Sequence, residues 1–125
     1  LDAWEMWQTG IQMIEPRMRT LVNNLRSYIN KQLAQTGFVL LANGQQQWHY
    51  DASYIKSIDG IIGTNIFYKE QIANEPLVLQ TNINNLNAFL VQNKAVFVTE
   101  HLSDLSLIAT FQQQARQLNF KSRVA

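Results

Sequence analysis

An α/β fold made of parallel βα units is predicted by three observations. Short apolar runs alternate with helical stripes along the chain. The runs recur at roughly 20–35 residues, the separation that a right-handed βαβ crossover requires. Each run closes on polar or turn-forming residues: Asn43-Gly44, Thr64-Asn65 and Glu100-His101. Four strands with helices between them make either a small open sheet or half of a (β/α)8 TIM-like barrel, which takes about 250 residues. With 125 residues there is room for one core, so the expectation is a single domain over 1–125 or a half-barrel of that extent. An open doubly wound domain would carry a further covering helix after its last strand, which favours the half-barrel.

The first helix starts near Glu15-Pro16, because proline is well placed at a first helical position. Met18, Leu21, Val22, Leu25, Tyr28, Ile29 and Leu33 then form one apolar stripe, and Gly37 is placed to end it. Upstream, Trp4, Trp7, Ile11 and Ile14 share a looser helical spacing broken at Gly10, a core-like pattern. Phe38–Ala42 is continuous rather than alternating, which predicts a strand buried on both faces. Ala52–Ser57 reads as a short helix, and 58–67 as a second strand region. A helix over 82–92, carrying Ile83, Leu86, Phe89 and Leu90, leads into the strand Ala95–Thr99. Ser103 is a suitable N-cap for a helix that turns Leu105, Ile108, Phe111, Ala115 and Leu118 inward, and Phe120–Val124 is a fourth strand.

Composition removes several functions. Ten Lys+Arg against nine Asp+Glu give +1, with no basic block, which argues against nucleic-acid and anionic-membrane partners. The absence of cysteine excludes disulfides and thiolate ligands. No apolar run reaches the ~18 residues of a membrane span. Walker A, G-x-G-x-x-G and G-x-S-x-G patterns are absent, so nucleotide binding and α/β-hydrolase chemistry lose their usual sequence support. His49-x-Asp51 and Glu100-His101 contain metal-ligand types, but nothing in their spacing brings them together, and neither a metal nor another cofactor is expected. The start, Leu1-Asp2-Ala3-Trp4-Glu5, has neither a basic n-region nor an initiator Met and reads as processed or truncated, so it says little about compartment.

Several segments, taken in order, carry a family resemblance. Leu1–Glu5 looks like the end of a strand-four motif, and Phe38–Gly44 like a strand-five "QNG" turn. Ile58-Asp59-Gly60-Ile61 with Phe67-Tyr68 looks like a strand-six signature. Lys94–Val98 and Leu118-Asn119-Phe120 match the last two strand entries. The chain thereby resembles the C-terminal half of the endo-α-1,4-polygalactosaminidase-like barrels, glycoside hydrolase family 114. The resemblance implies a secreted, carbohydrate-active protein whose partner is an amino-sugar polysaccharide, with its site at the C-terminal strand ends. A half-barrel leaves two open sheet edges and an uncovered apolar face, which predicts a companion N-terminal half-barrel chain or a homo-oligomer.

Glycoside cleavage needs two carboxylates flanking the bond. By resemblance the first is Asp2. The second, a glutamate in the family, falls at Thr64 beside Asn65, and a threonine hydroxyl does not titrate usefully near neutral pH. Either Glu100, at the next strand end, supplies that carboxylate, or the protein binds without cleaving. Asn43 and Asn65 are candidate hydrogen-bond partners for sugar hydroxyls, although Asn-Gly is also ordinary turn chemistry. Trp48 and Tyr68 are candidate stacking rings and equally candidates for packing, as is Tyr50. Asp59 precedes its strand and reads as structural. The alternative to an enzyme is a non-catalytic carbohydrate-binding or assembly module.

Overall fold

The computed structural model describes residues 14–32, 39–44 and 46–125. Its elements run α1 (Ile14–Gln32), β1 (Leu41–Asn43), a 3-10 turn (Gln46–Trp48), α2 (Ala52–Ser57), β2 (Gly60–Thr64), β3 (Tyr68–Lys69), β4 (Ile72–Ala73), α3 (Pro76–Leu90), β5 (Ala95–Glu100), α4 (Leu105–Gln117) and β6 (Lys121–Val124). Four strands form one parallel sheet in the order β1-β2-β5-β6, joined by alternating βα units, while β3 and β4 form a separate antiparallel hairpin.

Helix-forming segments end where the local chemistry stops them. Asp51 caps α2 by accepting from the Tyr54 amide at 3.0 Å. Pro76 starts α3 six residues earlier than the apolar spacing predicts, since its missing N–H costs nothing in a first turn. Asp104, not Ser103, caps α4: its Oδ1 accepts from the amides of Ser106 at 2.8 Å and Leu107 at 3.4 Å. Ser103 instead donates from its amide and hydroxyl to Gln71 Oε1, at 3.0 and 2.7 Å. Gly44, at φ +80, makes the turn expected of Asn-Gly and donates to the Ile62 carbonyl at 2.7 Å.

The core lies on one face of the sheet. Ile61, Val96 and Val98 are buried there with Val22 of α1, Tyr54 and Ile55 of α2, Leu86 and Phe89 of α3, and Phe111 and Ala115 of α4. Ala42 packs against the same cluster. Strand side chains alternate, so Leu41, Asn43, Ile62, Thr64, Phe97 and Thr99 project from the other face. They are half-exposed or exposed, and Ile62 and Phe97 take no part in the core cluster. Register across the sheet adds Lys121, opposite Phe97, and Arg123, opposite Thr99, to this second face.

The expectation of strands buried on both faces is therefore corrected. In β5 buried and half-buried residues alternate along the whole strand, and β1 is an edge strand whose Leu41 is 42% exposed. The apolar continuity of these runs has a different cause: one face meets the helices, while the other carries its own apolar row. Gly60 belongs to that second row, where a Cβ would come within 2.9 Å of both the Ala95 carbonyl oxygen and Leu41 Cδ2.

The hairpin turn between β3 and β4 is strained. Glu70 and Gln71 both adopt left-handed backbone, φ 52 and 66, where a side chain other than Asn costs about 1 kcal/mol. Gln71 is held by its bonds to Ser103, whereas Glu70 is exposed. Glu70→Asn is accordingly expected to stabilise the protein by about 0.5–1 kcal/mol. A rise of a few degrees in the thermal midpoint checks this, and an unchanged or lower midpoint refutes it.

Candidate functional site

The C-terminal ends of β1, β2, β5 and β6 come together at one rim, and side-chain parity splits the rim in two. On the face opposite the described helices, Thr64, Thr99 and Arg123 are register partners and form a row across three strands spaced about 4.8 Å apart. Asn43, Ile62, Phe97 and Lys121 form the next row down. The upper row offers two hydroxyls and a guanidinium. The lower row offers an amide and an ammonium flanking an apolar floor of Ile62 and Phe97. Neither Arg123 nor Lys121 forms an ion pair with a carboxylate among the described residues.

Glu100 ends β5 on the opposite side, in line with Val96 and Val98, and is fully buried. Its Oε1 accepts from the Phe67 amide at 2.7 Å, and the neighbouring amides of Ile66 and Tyr68 favour the charged carboxylate electrostatically. Its Oε2 is buried and has no hydrogen-bond partner among the described residues. Burial pushes its carboxyl above the ordinary range, against the opposing pull of the three amides and of His101. Tyr68, buried beside it, has a phenol raised by desolvation and by the Glu100 charge.

Glu100 is thus the anchor of the turn that follows β2. Asn65 opens that turn in the left-handed region, φ 58, where asparagine is among the residues tolerated best, and its amide donates to the Thr99 carbonyl at 3.2 Å. Asn74 Nδ2 donates to the carbonyls of Asn65 and Ile66, at 3.1 and 2.8 Å, and Asn82 Nδ2 reaches Ile66 at 3.1 Å. Three side chains from three other segments hold three consecutive residues, Asn65 to Phe67.

The expected site residues are therefore dispersed. Asn43 lies on the open face. Asn65 is exposed at the rim, next in sequence to Thr64. Glu100 and Tyr68 are buried beneath the rim turn. Trp48 is 3% exposed, set edge-on to Tyr54 at 5.0 Å with the Arg19 guanidinium over its ring, and it lines an apolar cavity of about 230 Å³ between α1 and β1. Asp2, Trp4 and Trp7 lie outside the described residues. Asp59 has the structural position read for it: it accepts from the Leu40 amide at 2.7 Å and pairs with Arg26. Thr99, Arg123 and the Ile62–Phe97 floor were missed, although the two-residue period of β5 and β6 was enough to place them on one face. Among the described residues no group of three or more His, Asp or Glu side chains could hold a metal ion, and no helix is long and apolar enough to cross a membrane.

Comparison of the chain with protein-family models and with curated proteins finds no match.

Proposed function

We propose that this chain is the C-terminal half of a (β/α)8-type barrel and that it binds a polysaccharide at its C-terminal rim. The observation that carries the reading is the face opposite the described helices, with Asn43, Thr64, Thr99 and Arg123 set around an Ile62–Phe97 floor. Hydroxyl, amide and guanidinium groups match sugar hydroxyls, and an apolar floor suits the layer of side chains that plugs a barrel below its site. A parallel sheet normally has both faces covered. In this reading a companion half-barrel, either a preceding segment of the same protein or a second copy, pairs with the edges at β1 and β6 and covers the open face.

Binding without cleavage is the favoured form. At the strand-six position where the resemblance calls for a glutamate stands Thr64, on the open face, while Glu100 is turned to the helix side and its Oε1 is committed to the Phe67 amide. One observation favours the hydrolytic reading: a carboxyl raised by burial is what a general acid requires. Asp2 would then be its partner.

Affinity electrophoresis against soluble polysaccharides, run beside a reducing-end assay, separates the two. Retarded migration with no new reducing ends, unchanged in Glu100→Gln, is the expected result. Turnover that Glu100→Gln or Asp2→Asn abolishes would establish the hydrolase instead. Absence of any polysaccharide affinity removes the carbohydrate reading altogether.

A further inference from the structure

We infer that the polysaccharide recognised at this rim is acidic, carrying ring carboxylates as a hexuronate polymer does, rather than a polymer of free amino sugars. The inference rests on the carbohydrate reading above and specifies the charge of its ligand. The described side chains of the open face are Leu41, Asn43, Ile62, Thr64, Ala95, Phe97, Thr99, Lys121 and Arg123. Two are cations and none is a carboxylate. The one carboxylate at the C-terminal rim of β5, Glu100, is on the opposite face and fully buried, so it neutralises neither cation by contact. Both cations are exposed.

The geometry adds a preference within the anions. Arg123 stands in the same row as the hydroxyls of Thr64 and Thr99, at the strand end where the barrel reading puts the sugar. A guanidinium presents a planar fork that matches a carboxylate with two parallel hydrogen bonds, while threonine hydroxyls both donate and accept. Lys121, one row down on the same strand, adds a second positive charge within about 7 Å along the backbone. A protonated amino sugar placed on this row would meet two like charges and, among the described residues of this face, no counter-charge, which costs affinity. Basic residues on an edge strand also serve simply to discourage edge-to-edge pairing, and that role predicts no ligand preference at all.

The test is binding of the full chain to polygalacturonate, to a neutral galactan and to chitosan, by affinity electrophoresis or calorimetry at low and moderate salt. Polygalacturonate is expected to bind tightest and to weaken as salt rises. Arg123→Gln is expected to weaken it about tenfold or more, the scale of a lost hydrogen-bonded charge. Arg123→Lys should recover part of that loss, since it keeps the charge without the fork. Thermal melts of both variants should match the parent, because Arg123 is exposed. Equal or tighter binding of galactan or chitosan, or an Arg123→Gln variant that binds polygalacturonate unchanged, overturns the acidic-ligand inference while leaving carbohydrate binding intact. Failure of all three polymers to bind overturns both.

Discussion

Replacing Glu100 by alanine is expected to cost about 1–3 kcal/mol of folding stability and to release the turn around Phe67. The carboxylate accepts from the Phe67 amide at a short 2.7 Å, and the Ile66 and Tyr68 amides lie beside it. Alanine leaves the Phe67 amide without an acceptor in a buried site, and an orphaned donor there costs about 1–3 kcal/mol. Removing a carboxyl that burial has made unfavourable gives part of this back. For a chain of this size the difference is a fall of about 10 °C in the thermal midpoint. Amide exchange should separate local from global effects. Phe67 is expected to lose protection at temperatures where the amides of β2 and β5 remain protected. A midpoint matching the parent would mean that Asn74 and Asn82 hold the turn unaided.

Glu100→Gln separates the charge from the shape. Glutamine keeps an acceptor for Phe67 and nearly the same volume, so it should fold like the parent in acid. The pH dependence differs. The folded state binds the Glu100 proton more tightly than the unfolded chain does, so stability is greatest below the ordinary glutamate range. It declines as pH rises through the raised folded value. Asp59 and Asp104 run the other way. At Asp59 desolvation is outweighed by the Leu40 amide and by Arg26, and at Asp104 the Ser106 hydroxyl and the Ser106 and Leu107 amides prevail. Both carboxyls are held low, and their contribution is lost as pH falls through their depressed values. Midpoints measured across pH 4–8 should therefore decline on the upper side in the parent and flatten there in Glu100→Gln, with the acid limb unchanged. A parallel decline in the variant would assign the slope to another group.

The sheet and its order of units were legible because buried parallel strands and amphipathic helices differ in period, and that signal survives without neighbours. What the sequence hid was which side of each element meets protein. For α1 the apolar spacing marks Met18, Leu21, Val22, Leu25, Tyr28, Ile29 and Leu33 as one stripe, yet Leu21 and Tyr28 are 41% and 58% exposed. The helix is docked as much by polar residues. Asn23 Nδ2 donates to Ser53 Oγ at 2.9 Å, Arg19 pairs with Asp51 at 3.1 Å, and Arg26 reaches the Ser57 carbonyl at 2.8 Å and also Asp59. These contacts turn the helix toward its 19-22-23-26 side, and hydrophobicity has no means of seeing them. The rim was hidden for a similar reason. Glu100 is the third member of the Val96-Val98 alternation, so its strand-end position pointed to chemistry while its parity pointed to the core. Parity decides, because a two-residue period cannot be broken at one position without a bulge.

Phe89→Ala is expected to have the largest effect of any single truncation in α3, about 3–5 kcal/mol against a total of 5–15 for a domain of this size. Phe89 is fully buried and stands edge-on to Tyr54, with ring centres 6.4 Å apart at 87°; Tyr54 in turn stands edge-on to Trp48. One ring therefore links α3 to α2 and to the 3-10 turn, and its loss opens a cavity that flat aromatic neighbours cannot close by small shifts. The backbone at this site is unaffected in principle, since the Phe89 carbonyl still accepts from Gln92 and Lys94, both at 3.1 Å. Leu77, in the first turn of the same helix, is 79% exposed, and Leu77→Ala should stay within about 0.5 kcal/mol. Urea titration of the pair measures the contrast; similar midpoints for the two variants would contradict the seating of α3 through Phe89. The consequence for the rim follows from the layering. Phe89 lies on the face of the sheet opposite Thr64, Thr99 and Arg123, so Phe89→Ala should bind polygalacturonate like the parent under conditions where it is still folded. Arg123→Gln should do the reverse, losing affinity at unchanged stability. The two variants together separate what holds the sheet from what the sheet presents.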